Sequence, residues 1–138
     1  MKPEIPYFSL SGKIYKCTIV DIYDGDTITV IFKFSGKYYK WKVRMLGYDS
    51  PEIRISKKDQ LREEKKKLGI DAREYLREII QKNSTCCLHK KYYYIKCGKF
   101  DKYGRLLGEI YKYKKDIKRD NSINSMMLQS KHAVEYMV

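Results

Sequence analysis

From Gly12 to Gly47 hydrophobic and polar positions fall into three runs separated by turn residues, which predicts three β-strands joined by hairpins. The first run, Lys13 to Ile22, is rich in β-branched and aromatic residues and leads into Asp24-Gly25, a hairpin signal. In the second, Ile28, Val30, Phe32 and Phe34 alternate with Thr27, Thr29, Ile31 and Lys33, the period of a strand with one buried face. Ser35-Gly36 turns the chain again. In the third, Tyr39, Trp41, Val43 and Met45 share one face and Lys40, Lys42 and Arg44 the other, which puts Arg44 on a basic face.

After Pro51 the pattern changes. Ile53 to Lys67 is dominated by charge and has no sustained apolar period, so it reads as a basic loop or a solvated helical turn, interrupted by Gly69. Asp71 to Lys82 then sets Ala72, Tyr75, Leu76, Ile79 and Ile80 at helical spacing, and Asn83-Ser84 ends that helix. Thr85 to Cys97 returns to strand character, with Tyr92, Tyr93 and Tyr94 divided between core and surface. Gly104 turns the chain into a fifth strand over Arg105 to Tyr113, and Ile123 to Lys131 predicts a further short helix. This order predicts an α+β, mainly β fold: a five-stranded Greek-key barrel of the OB type capped by two or three helices, with an open α+β sheet as the alternative. No repeat or linker divides the chain, so a single domain over residues 1–138 is expected, with 1–11 as an N-terminal arm.

Composition narrows the partner. The 138 residues carry 30 Lys plus Arg against 17 Asp plus Glu, a formal net charge of +13, and 43% are hydrophobic. That excess favours a polyanion, nucleic acid before an anionic membrane surface, while a merely solvated basic surface is the plain alternative. No apolar run approaches a membrane span or a signal peptide; an intracellular protein is expected, or a secreted one whose leader has been removed. Cys17, Cys86, Cys87 and Cys97 lack zinc-site spacing, His89 and His132 have no evident partner, and reduced thiols are expected. Without a heptad or an apolar stripe, a monomer is expected.

Three segments carry groups able to meet at one phosphate: Asp24-Gly25-Asp26-Thr27, Arg44 with Asp49-Ser50-Pro51-Glu52, and Asp101-Lys102-Tyr103-Gly104-Arg105. Singly, each is explained by the needs of a turn. Together they supply two carboxylates for a hard, oxygen-loving cation, a third to activate water, and two guanidinium forks for a phosphodiester. The basic run from Arg54 to Lys67 reads equally well as a guide for a nucleic-acid backbone and as a solvated loop.

In order and spacing these segments, with Ile123-Asn124-Ser125-Met126-Met127, resemble the staphylococcal nuclease (thermonuclease) family, from Tyr15 onward. The resemblance implies an OB barrel and a Ca²⁺-dependent nuclease, with Mg²⁺ or Mn²⁺ as possible substitutes. Such an enzyme hydrolyses DNA and RNA, single strands preferentially, with little sequence specificity, to 5′-hydroxyl and 3′-phosphate ends. It further implies that Asp26 and Asp49 bind the metal, that Ser50 lends its backbone carbonyl, and that Asp24 stands beside them. Glu52 matches the proposed general base, Arg44 and Arg105 the phosphate-binding arginines, and Lys102, Tyr103 and Tyr136 positions that contact nucleotide. The rival reading is a nuclease-like barrel that holds nucleic acid or protein without cutting. The presence of Asp26, Arg44, Asp49, Glu52 and Arg105 together favours catalysis.

Overall fold

A computed structural model of the protein describes residues 3–81 and 92–136. In chain order the elements are β1 (Ile14–Asp24), β2 (Thr27–Phe34), β3 (Lys37–Met45), β4 (Tyr48–Asp49), α1 (Arg62–Gln81), β5 (Tyr93–Phe100), β6 (Leu106–Tyr111), α2 (Lys114–Lys118), α3 (Ile123–Leu128) and β7 (Val134–Glu135). Five strands close a barrel in the order β1-β2-β3-β6-β5, and β4 pairs with β7 in a separate two-stranded sheet. The expected OB-type barrel is therefore present, and the open-sheet alternative is excluded.

The strand pattern explains the barrel. Ile28, Val30 and Phe32 of β2 are buried, as period-2 alternation requires, and they meet Val43, Met45, Ile95, Leu106 and Ile110 in one core. Phe34 and Lys37 pair across the two-residue turn Ser35-Gly36, whose φ values of 51° and 86° are the left-handed pair that a tight hairpin needs. β1 is irregular between Ile19 and Asp21 and again between Ile22 and Asp24, just before the rim that carries Asp26. The parallel pairing of β3 with β6 sets Arg44 beside Leu107 and so brings Arg105, which leads into β6, to the same edge.

α1 differs from expectation. It begins at Arg62, not Asp71, and runs through Gly69. Charged residues on an exposed face do not prevent a helix, and Glu63 and Glu64 in the first turn suit its positive end. Gly69 does not break the helix. It is buried, and a Cβ there would collide with the carbonyl oxygen of Glu52. The apolar stripe Ala72, Leu76, Ile79 and Ile80 is buried as expected.

Other expectations need smaller corrections. Arg44 is 8% exposed, while its neighbours Lys40 and Lys42 on the same face are open to solvent. Tyr39, placed with the core by alternation, is 46% exposed near the hairpin end of β3, and Trp41 above it is half-buried, stacked on Phe32 at 4.5 Å. β6 stops at Tyr111, and α2, which had no periodicity to announce it, follows at once. Among Tyr92, Tyr93 and Tyr94, only Tyr93 is buried, donating to the carbonyl of Ile80 at 2.8 Å. The expected helix end at Asn83-Ser84, the start of a strand at Thr85, and Cys86, Cys87 and His89 lie outside the described residues. Cys17 and Cys97 are free and buried; burial pushes their thiols up to about 12 and about 11. His132 lies against the Tyr75 ring at 4.8 Å. No described helix is long and apolar enough to cross a membrane.

Candidate active site at the barrel rim

The rim is built on the β1–β2 turn. Asp24 closes that turn, its Oδ1 accepting the backbone N–H of Asp26 at 3.1 Å. Asp26 then accepts from three directions. Its Oδ1 takes the Thr27 hydroxyl at 3.1 Å, its Oδ2 takes the Ser50 backbone N–H at 3.0 Å, and Arg44 Nη1 lies 3.4 Å from Oδ2. Tyr48, fully buried, donates its hydroxyl to the carbonyl of Gly25 at 2.7 Å and so ties the β4 turn to the β1–β2 turn. Gly25 has to be small: a Cβ there would lie 2.6 Å from Ser50 Oγ and 2.9 Å from the Ala72 methyl of α1.

Arg44 is the hub. Nη1 donates to the carbonyls of Met45 and Tyr48, both at 2.9 Å, and Nη2 to Asp49 Oδ1 at 3.1 Å. The guanidinium also lies 5.6 Å from the centre of the Tyr136 ring. These bonds account for its burial, which alternation along β3 could not foresee.

Charge is crowded here. Burial and the negative charge of Asp26 push the Asp24 carboxyl up to about 7. Burial acts on Asp26 in the same direction, but the hydrogen bond with Asp24 and the charge of Arg44 outweigh it and leave that carboxyl below its ordinary value. Asp49 is raised by partial desolvation and by its contact with Asp26. One carboxylate is thus held ionised, at the expense of its neighbours. An added cation would relieve this crowding.

The second basic group sits on the β5–β6 turn. Asp101 Oδ1 accepts the backbone N–H groups of Tyr103 and Arg105, each at 2.9 Å, and Oδ2 accepts Arg105 Nε at 2.8 Å. These bonds from Arg105 and Tyr103 overcome desolvation and hold the Asp101 carboxyl below its usual range. Among the described residues, the terminal nitrogens of Arg105 make no hydrogen bond, and the guanidinium lies 5.6 Å from the Tyr103 ring centre.

A cleft of about 770 Å³ joins the two halves. It is lined by Asp24, Asp26, Arg44, Asp49, Glu52, Lys102, Tyr103, Arg105 and Tyr136, which are all the expected site side chains except Ser50. Ser50 is buried beneath the rim, its N–H on Asp26 and its Oγ the one buried side-chain polar atom among the described residues without a partner. Glu52 is exposed on the cleft wall and makes no hydrogen bond to any described residue. Thr27, Lys99, Phe100, Asp101 and Leu107 complete the lining. Of these, Thr27 and Asp101 were visible in the motifs, whereas Lys99 and Phe100 carried no signal beyond their strand.

Among the described residues no three or more His, Cys, Asp and Glu side chains form a group that could by itself hold a metal ion. The rim offers oxygen only. The pair Asp26 and Asp49, crowded against Asp24 and over the unpartnered Ser50 hydroxyl, is a donor set that fits a hard cation with water in the remaining positions and fits zinc poorly.

A closed five-stranded barrel with acids and arginines gathered in one rim cleft defines a nuclease-like OB domain. The family model for staphylococcal nuclease homologues matches residues 42–138, the greater part of the chain, and the chain belongs to that family. The match takes in Arg44, Asp49, Ser50, Glu52 and Arg105, while Asp24 and Asp26 lie before it. Comparison with curated proteins gave no match.

Proposed function

We propose that the protein is a Ca²⁺-dependent endonuclease that hydrolyses DNA and RNA, single strands before duplexes, with little sequence specificity. One observation carries this reading: Arg44, Arg105, Asp26, Asp49 and the unpartnered carboxylate of Glu52 all face one cleft. Asp26, Asp49 and the backbone carbonyl of Ser50 would hold the cation, with Asp24 beside them; Mg²⁺ or Mn²⁺ would suit the same oxygen donors. Once bound, the cation would add positive charge where the attacked phosphate gathers negative charge.

The chain's own groups do the rest. Glu52, without a hydrogen-bond partner among the described residues, accepts a proton from the attacking water. Arg105 sets its terminal N–H groups on the phosphate oxygens and stabilises the five-coordinate phosphorus. Arg44 contributes its charge from beneath. Tyr103 and Tyr136 give flat faces to flanking sugars and bases, with Lys102 beside them. Contacts of this kind grip the backbone and carry no base information, so cleavage is expected to be unspecific.

The test is product analysis after incubation with single-stranded DNA and with RNA. The reading expects internal cuts leaving 5′-hydroxyl and 3′-phosphate ends. Glu52→Gln should turn over about 10²–10⁴-fold more slowly while binding DNA as before. Tight binding with no cutting under any divalent cation would make this a nucleic-acid-holding module instead.

A further inference from the structure

A second groove, of about 540 Å³, opens beside the cleft and shares Asp24, Thr27, Glu52 and Arg105 with it. Its other walls are Asp21, Tyr23, Thr29, Lys42 and Arg54. The volume lies within the range of about 300–1,000 Å³ usual for ligand sites. Because the shared residues include the proposed base and the partly exposed Arg105, the two spaces adjoin at the candidate site.

Strand register explains the layout. Asp24 pairs with Thr27 and Thr27 with Arg44, which forms the row of the candidate site across β1, β2 and β3. On the same outer face the next row is Asp21, Thr29 and Lys42, since Asp21 pairs with Thr29 and Thr29 with Lys42. Two residues along a strand is roughly 7 Å, a step comparable to that between successive phosphates of an extended polynucleotide. Lys42 thus stands one such step from Arg44 along β3.

Three side chains of the second groove are uncommitted. Tyr23 is 53% exposed, Lys42 and Arg54 are exposed, and none of the three makes a hydrogen bond, ion pair or ring contact with a described residue. On α1, by contrast, Arg62, Arg73 and Arg77 are engaged with Glu63 or Glu74. Asp21 is the unshared acid in the groove; it repels phosphate and can accept from a base amino group.

We infer that this groove binds the nucleotide adjoining the scissile phosphate, with Lys42 and Arg54 on its phosphate and Tyr23 stacked on its base, so that the polynucleotide runs through the site instead of ending in it. The inference rests on the nuclease reading and deepens it by assigning the second arm of the substrate path.

The experiment compares kcat/KM for oligothymidylates of two and eight nucleotides, using the wild-type protein, Tyr23→Ala and the Lys42→Ala, Arg54→Ala double variant. All three positions are exposed, so melting curves should match the wild type. In the double variant the octanucleotide should lose about tenfold or more with the dinucleotide unchanged, because TpT carries only the scissile phosphate; Tyr23→Ala should slow both substrates, since a base of the dinucleotide already adjoins that phosphate. The double variant should also show a shallower dependence of octanucleotide KM on salt, by about one to two phosphate contacts. A wild-type octanucleotide-to-dinucleotide ratio in the double variant, or wild-type rates on both substrates in Tyr23→Ala, would overturn the groove assignment and leave the nuclease reading standing. If the wild-type protein cuts neither substrate, the nuclease reading fails and the assignment falls with it.

Discussion

The two arginines of the cleft are both paired with aspartate, yet they are held in opposite ways. Arg44 is buried, spends both terminal nitrogens on Asp26, Asp49 and two backbone carbonyls, and fastens β3 to the turns on either side of it. Arg105 is partly exposed, spends only Nε on an aspartate four residues before it, and keeps its terminal nitrogens unengaged among the described residues. One pair is part of the frame of the rim; the other is a group set on a turn and aimed by it. A guanidinium in the frame cannot be removed without exposing the carboxylates it neutralises, whereas one on a turn can be changed at little structural cost.

The largest effect should therefore come from Arg44→Ala, which leaves Asp26 buried without its cation. We expect a stability loss of about 3–5 kcal/mol, read as a lower urea midpoint, together with loss of cleavage. Arg105→Lys should separate these effects. It keeps the charge but loses the planar fork, so kcat should fall about 10²–10³-fold while the melting temperature stays within a degree or two. Equal stability losses for the two variants would erase the distinction between frame and turn.

A third, smaller effect concerns what supports Glu52. α1 presses on its backbone through Gly69, and Gly69→Ala forces that contact apart. Turnover should drop by about tenfold or more, since displacements of roughly an ångström cost up to 10²-fold, with KM for DNA little changed. A rise in KM at constant kcat would show that the contact serves binding and not the base.

What was legible in the sequence follows the same division. The barrel was readable because Ile28, Val30 and Phe32 alternate strictly and Ser35-Gly36 admits a tight hairpin. The acids and arginines stood out as turn segments that could meet at one phosphate, and their individual roles came from the resemblance to the staphylococcal nuclease family. Four things escaped notice for physical reasons. Arg44 lies on the polar side of its strand, and only tertiary bonds from Tyr48, Asp26 and Asp49 bury it. Gly69 was read as a break because glycine opposes helix locally, yet here it permits α1 to touch the Glu52 backbone. β4 and β7, two residues each, are too short for any period and exist because Tyr48 and Asp49 face Val134 and Glu135. The polar clamp of Asn124 was equally silent. Its amide donates to the carbonyls of Leu46 and Gly108 and accepts the N–H of Ile110, fixing α3 to β6 and to the rim.

The central claim, that the rim acids hold a cation for phosphodiester hydrolysis, is tested most directly by one measurement. A fluorescent single-stranded DNA is incubated with the purified protein in Ca²⁺, in Mg²⁺ and in chelator, beside the Asp26→Ala protein as a guard against contaminating nuclease. Cutting that requires Ca²⁺, stops with chelator and is absent from Asp26→Ala is the predicted result. Cutting that persists in chelator, or that Asp26→Ala retains in full, would contradict it.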